Sequence, residues 1–210
     1  MTPIFRSAAF ATVAFAAIGL AACDSSAQTT QPKAAQTGAR ASAIFAGGCF
    51  WCTEKDFDQM PGVIATESGY TGGRTPRPTY DQVSAGGTGH IEAVRVTYDP
   101  ARISYATLVS RFLRTIDPLD GGGQFCDRGP QYQSAVFVGN AAERQAAAAA
   151  RDAAARAVKV QGRIATSILN RATFYPAEAY HQDYYKKNPA RYRFYRFSCG
   201  RDARLGKVWG

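Results

Sequence analysis

Between Ser42 and Lys187 the chain alternates short apolar runs with segments of helical spacing. Ala43 to Gly47 (AIFAG) is an apolar run ending in glycines and predicts a strand. Val63 to Gly69, Ser134 to Val138 and Ile164 to Leu169 predict three more. His90 to Tyr98 (HIEAVRVTY) has the twofold period of a strand with one buried face. Helical spacing covers Cys49 to Gln59, Ser104 to Ile116 and the alanine-rich stretch Ala141 to Lys159, with one helical turn at Thr79 to Val83 and a last helix at Glu178 to Lys187. Tyr70 to Pro78 and Gly121 to Gln133 are rich in turn residues and read as loops. Strands alternating with helices predict an α/β (α+β sandwich) fold, a mixed sheet with flanking helices. The segment from Arg191 onward shows no assignable period and is expected to be a long coil.

The first residues follow a different pattern. Met1 to Ala22 carries a single cation, Arg6, before an apolar run from Ala8 to Ala22. That is the shape of a signal peptide, too short to cross a bilayer comfortably. It ends Leu20-Ala21-Ala22-Cys23, which resembles a bacterial lipobox and implies a lipid on the Cys23 thiol. Asp24 to Ala41 is small and polar, a flexible tether. The expected division is therefore 1–22 signal peptide, 23–41 lipid-bearing cysteine and tether, and 42–210 folded domain with a basic tail at 190–210. The setting this implies is the periplasmic side of a bacterial envelope, which is oxidising.

Composition narrows the chemistry. The 210 residues hold two histidines and five cysteines. Two histidines exclude a histidine-rich catalytic zinc site, and five cysteines in so long a chain exclude a disulfide-stapled miniprotein. The net charge is +9. Eight Lys or Arg lie between Lys186 and Gly210 against Asp202 alone. Such a tail is solvated, or lies against anionic lipid. No recognition helix or zinc finger supports nucleic-acid binding.

The sharpest local signal is Gly47-Gly48-Cys49-Phe50-Trp51-Cys52. Two glycines after a strand allow a tight turn into a helix. A cysteine at the helix start meets unpaired N–H groups and the positive end of the dipole, which favour thiolate. Cys49 and Cys52, three apart, share a helix face. They fit a C-x-x-C redox site, a nucleophile with a resolving partner, half of a zinc site completed by Cys126 and Cys199, or a buried pair. Glu92 lies mid-strand, and its alternation with His90 and Val94 leaves its face open.

These residues, with others, resemble the type A peptide-methionine sulfoxide reductases. Gly48-Cys49-Phe50-Trp51 matches the family's G-C-F-W. Gly69-Tyr70-Thr71-Gly72-Gly73, Pro78-Thr79-Tyr80 and Thr88-Gly89-His90-Ile91-Glu92-Ala93-Val94 match three further blocks. Asp127 to Ser134 (DRGPQYQS) matches D-x-G-x-Q-Y-R-S, with Gln133 in place of Arg. His181-Gln182 and Lys187-Asn188-Pro189 match a late segment. The blocks run in family order from Ala43 to Pro189.

The resemblance implies a ferredoxin-like βαβ core and thiol-dependent reduction of methionine-S-sulfoxide, free or in proteins. Cys49 would be the nucleophile, Glu92 the acid, Tyr80 and Tyr132 donors to the sulfoxide oxygen, and Asp127 an orienting group. Phe50 and Trp51 would form the methyl pocket. His90 and His181 read as structural. Many relatives carry Gly or Ala where Cys52 stands, so Cys52 or Cys199 is the expected resolving thiol, with Cys52 favoured. A thioredoxin-fold partner would reduce the disulfide. The expected protein is a monomer needing no metal or organic cofactor. The main competing reading is a membrane-tethered thiol–disulfide oxidoreductase, which leaves Glu92, Tyr80 and Tyr132 without roles.

Overall fold

In the computed structural model, which describes residues 38–210, six strands form one mixed sheet in the order β7-β6-β1-β3-β2-β8. The signal peptide, Cys23 and most of the tether lie outside the described residues. The central strands are β1 (Ala41–Gly47), β2 (Val63–Thr71), β3 (Ile91–Tyr98) and β6 (Ser134–Val138). They are antiparallel throughout. Helix α1 (Phe50–Asp58) connects β1 to β2, and α3 (Tyr105–Leu113) lies between β3 and β6. This is the ferredoxin-like arrangement expected. β7 (Ser167–Asn170) extends it parallel to β6, and β8 (Phe174–Pro176) extends the other edge antiparallel to β2. Short elements sit between: α2 (Tyr80–Ser84), a two-residue hairpin of β4 (Gly123–Gln124) and β5 (Asp127–Arg128), and a 3₁₀ turn at Pro130–Tyr132.

The β1 run is apolar because both of its faces are buried. Ala43 and Phe45 join the main core with Val94, Val96, Phe57 and Phe112, while Ile44 and Ala46 join a smaller cluster with Ala93 and Phe137. The Phe45 ring lies 4.8 Å from Phe57 and 4.9 Å from Phe112. The same alternation settles Glu92: it shares parity with Val94 and Val96, which face α1. Long helix α4 (Ala141–Ala157) is capped by the Asn140 side chain, which accepts from Glu143 N, and buries Ala147, Ala150 and Ala154.

Several expectations need correction. Strand β1 begins at Ala41, two residues before the start predicted at Ala43. β2 runs on through Tyr70 and Thr71, because β8 pairs with both. The predicted strand at Ile164 to Leu169 is displaced to Ser167–Asn170, and β8, only three residues long, has no period to read. Glu178 to Lys187 is turns followed by a single helical turn, α5 (Tyr184–Lys187), since Asp183 adopts a left-handed conformation.

The largest correction is the tail. It is not coil but two helices, α6 (Pro189–Ser198) and α7 (Arg201–Trp209), hinged at Gly200 with φ +63°. It is not simply solvated either. Arg196 pairs with Asp56 at 3.0 Å and with Asp202, and Arg204 pairs with Asp117 at 2.6 Å. Arg201 is fully buried. It donates to Thr115 O at 2.7 Å, faces Asp56 at 3.5 Å and stacks on Phe125. Trp209 Nε1 donates to Ile116 O at 3.1 Å. Basic residues thus fasten the chain end onto the domain, some through carboxylates and Arg201 also through backbone carbonyls. Among the described residues no helix is long and apolar enough to cross a membrane.

Candidate active site

Cys49 sits where β1 gives way to α1. Gly48 takes φ +78°, and a Cβ there would meet Gln124 Cβ at 2.5 Å. At Gly47 a Cβ would meet Thr53 Oγ1 at 2.7 Å. Both glycines are therefore needed for the turn to close. Cys49 is the N-cap of α1, and its carbonyl accepts from Cys52 N and Thr53 N.

The predicted acid arrives from β3. Glu92 is 2% exposed, and its Oε2 accepts from Phe50 N at 2.9 Å. An orphan donor of the first helical turn is thereby satisfied by the carboxyl itself. Burial pushes Glu92 up to about 8, with the Asp127 charge adding to the effect. At neutral pH Glu92 holds a proton.

The cysteine pair behaves differently from expectation. Burial raises the Cys49 thiol well above its ordinary value, outweighing the helix N-terminus. Cys52 goes the other way, to about 7, through its hydrogen bond with Cys49 and the charges of Arg201 and Arg196. Tyr192 packs against Cys52. Of the two thiols, Cys52 is the more acidic.

The tyrosines converge from two elements. Tyr80 opens α2, a turn closed by the Thr79–Gln82 capping box, and Tyr132 ends the 3₁₀ turn. Burial raises both hydroxyls, Tyr80 to about 12. Both therefore remain donors at any physiological pH. Trp51 stacks flat on Tyr184, with centroids 3.7 Å apart, and its Nε1 donates to His181 Nδ1 at 3.0 Å. Phe50 lies 4.9 Å from the His181 ring. Asp127, half-buried, accepts from Tyr195 Oη at 2.5 Å; burial raises its carboxyl while Tyr195 and Arg201 oppose that.

The structure gathers Cys49, Cys52, Phe50, Trp51, Tyr80, Glu92, Asp127 and Tyr132 around the start of α1. Cys199 is not free: it is disulfide-bonded to Cys126, with Cα atoms 4.8 Å apart. That pairing leaves no ligands for a zinc site completed by Cys126 and Cys199. The histidines are structural. His90 Nδ1 accepts from Gly73 N at 3.1 Å and Nε2 faces Thr75 O at 2.8 Å, so it braces the glycine loop. His181, 1% exposed, orients Trp51.

Sequence reading missed several residues. Glu178 clamps two tyrosines, accepting from Tyr80 N at 2.8 Å and Tyr70 Oη at 2.9 Å. Tyr192, Tyr195, Arg196 and Arg201 come from the tail helices. The repeated Tyr and Arg of RYRFYRFSCGR was a signal, read there as charge alone.

A buried cysteine pair at a helix start, beside a protonated carboxyl and paired phenols, defines a thiol-dependent oxidoreductase. The peptide methionine sulfoxide reductase family profile matches residues 41–210. The chain is 55% identical over 169 residues to peptide methionine sulfoxide reductase MsrA 2 of Caulobacter vibrioides, covering 80% of this chain and 85% of that one. It is 48% identical over 171 residues to MsrA of Bacillus licheniformis, covering 81% and 94%. Among solved structures, reduced Mxr1 from Saccharomyces cerevisiae superposes with a TM-score of 0.67 at 31% identity, over 72% of this chain and 87% of that one. This chain belongs to the peptide methionine sulfoxide reductase family.

Proposed function

We infer that the protein reduces methionine-S-sulfoxide, free or in oxidised proteins, to methionine. The observation that carries this is the Glu92 carboxyl, buried, protonated and hydrogen-bonded to Phe50 N beside Cys49. Breaking a sulfur–oxygen bond needs both a sulfur nucleophile and a proton for the departing oxygen.

The sulfoxide oxygen sits between the Tyr80 and Tyr132 hydroxyls, and its methyl group between Phe50 and Trp51. Cys49 Sγ attacks the sulfoxide sulfur, and its thiol proton passes to Cys52. Glu92 gives its proton to the oxygen. Methionine leaves, Cys49 becomes a sulfenic acid, and the negative charge has moved from Cys52 to Glu92. Cys52 then loses its proton to Glu92 and attacks Cys49. The disulfide forms and water departs. A dithiol protein of the thioredoxin class exchanges with the Cys49–Cys52 disulfide and restores both thiols.

The test is single turnover of reduced protein with peptides carrying separated S or R sulfoxide. One equivalent of methionine from the S epimer, and none from the R epimer, is expected. No methionine from either epimer overturns the reading.

The leader pattern and Leu20-Ala21-Ala22-Cys23 support a place on the periplasmic side of a bacterial envelope, with the tether lipid-anchored through Cys23. The cargo there is oxidised envelope protein, repaired by a monomeric enzyme. Palmitate labelling of the wild-type chain, lost in Cys23→Ala, is expected; equal labelling of both overturns the anchor.

A further inference from the structure

We propose that Tyr195 is a positioning residue for the acid step, holding Asp127 beside Glu92, and that the Cys126–Cys199 disulfide keeps it in place. The proposal rests on Glu92 acting as the acid.

Tyr195 lies on α6, in the last fifth of the chain, yet it reaches the centre of the site. Its hydroxyl donates to Asp127 Oδ2 at 2.5 Å, and its ring meets Trp51 edge-on at 5.8 Å. The disulfide brackets this contact on both sides. Cys126 precedes Asp127 by one residue, and Cys199 follows Tyr195 by one helical turn, with Cys199 N bonded to Tyr195 O at 3.0 Å. The two sulfurs and a carboxylate oxygen of Asp127 all lie within 4.8 Å of one another. Asp127 sits in a two-residue hairpin, an element with little rigidity of its own. A covalent bridge at its neighbour supplies what the hairpin lacks.

Asp127 matters to Glu92 through charge. The groups facing Glu92 are Cys49 and Cys52 from α1, Tyr70 from β2, Tyr80 from α2, Tyr132 from the 3₁₀ turn and Asp127 from the hairpin. Asp127, as a carboxylate, keeps the Glu92 proton on. Asp127 is itself half-buried, and the Tyr195 hydrogen bond favours its ionised form, as does the Arg201 charge. Loss of the Tyr195 hydroxyl leaves Asp127 free to turn to solvent or take a proton. Either way Glu92 loses a negative neighbour and releases its proton at lower pH.

The experiment is single turnover of the S-sulfoxide peptide without added reductant, followed across pH 6–10, for wild type, Tyr195→Phe and the paired Cys126→Ser/Cys199→Ser variant. Cys49 and Cys52 are intact in all three, and recycling plays no part. Tyr195→Phe is expected to slow the step about tenfold. The limb where activity falls with rising pH should move down by roughly half a unit to one unit. The serine pair should shift the limb in the same direction, and it carries the test without touching Tyr195 if Tyr195→Phe fails to fold. A normal rate in Tyr195→Phe, or a slower one with an unmoved limb, overturns the role of Tyr195. An unmoved limb in the serine pair overturns the role of the disulfide. If wild type forms no methionine, the reductase reading falls and takes this one with it.

Discussion

Cys49→Ser should abolish methionine formation, while Cys52→Ser should allow one equivalent and then stall. The first effect is the larger, a loss of at least about 10⁴-fold, because a hydroxyl at this position has no comparable nucleophilicity. The second separates attack from resolution. Without Cys52 the Cys49 sulfenic acid has no free thiol partner among the described residues: Cys126 and Cys199 are engaged with each other. It should accumulate and be trapped by dimedone, read as a mass shift on the Cys49 peptide. The first turnover in Cys52→Ser should also be slowed, since Cys52 is the more acidic thiol of the pair and is placed to take the Cys49 proton. Cys199→Ser should keep cycling with a dithiol reductant. A Cys199→Ser enzyme that stalls after one turnover, beside a Cys52→Ser enzyme that cycles, would transfer the resolving role to Cys199.

Glu92→Gln should lower kcat/KM by about 10²–10³-fold and at the same time make the protein more stable at pH 8. The amide keeps an oxygen for Phe50 N but has no proton to give, so the acid's contribution is lost. The wild-type rate should fall as pH rises through about 8, where the Glu92 proton leaves, and the variant should be flat there. Stability moves oppositely for a defined reason. The Glu92 carboxyl is raised from 4.5 in a free chain to about 8 in the fold. A raised carboxyl costs nothing below pH 4.5, and the penalty grows as pH rises toward 8. At pH 7 it reaches about 3 kcal/mol, which the amide escapes. Thermal melting of both proteins at pH 5 and pH 8 measures this. An equal melting difference at both values would show that Glu92 is not held neutral.

The core of the fold was legible because its strands obey simple periods. β1 and β6 are apolar runs buried between layers, and β3 alternates. The site's first turn was legible for the same kind of reason: only glycine tolerates the Gly47-Gly48 bend, and a Cys-x-x-Cys pair follows it. What escaped depends on tertiary contacts. β8 exists because Gly69 leaves room for it, its Cβ position lying 2.4 Å from Phe174 and from Tyr175 O. The direction of the Cys49 shift was misjudged because a helix dipole is local and readable, whereas burial by segments more than a hundred residues away is not. The tail was misjudged for a related reason. Arg196, Arg201 and Arg204 read as surface charge until Asp56 and Asp117 are seen to meet them.

That docking of α6 and α7 has a consequence for any shortened form of the chain. Arg201 reaches back across 154 residues to the Gly47 carbonyl, at the turn that presents Cys49. A chain that stops short of α6 and α7 lacks that contact. In it Cys52 lacks its arginines and Tyr192, and Asp127 lacks Tyr195. A truncated chain would carry its two active-site cysteines without the contacts that α6 and α7 supply to them.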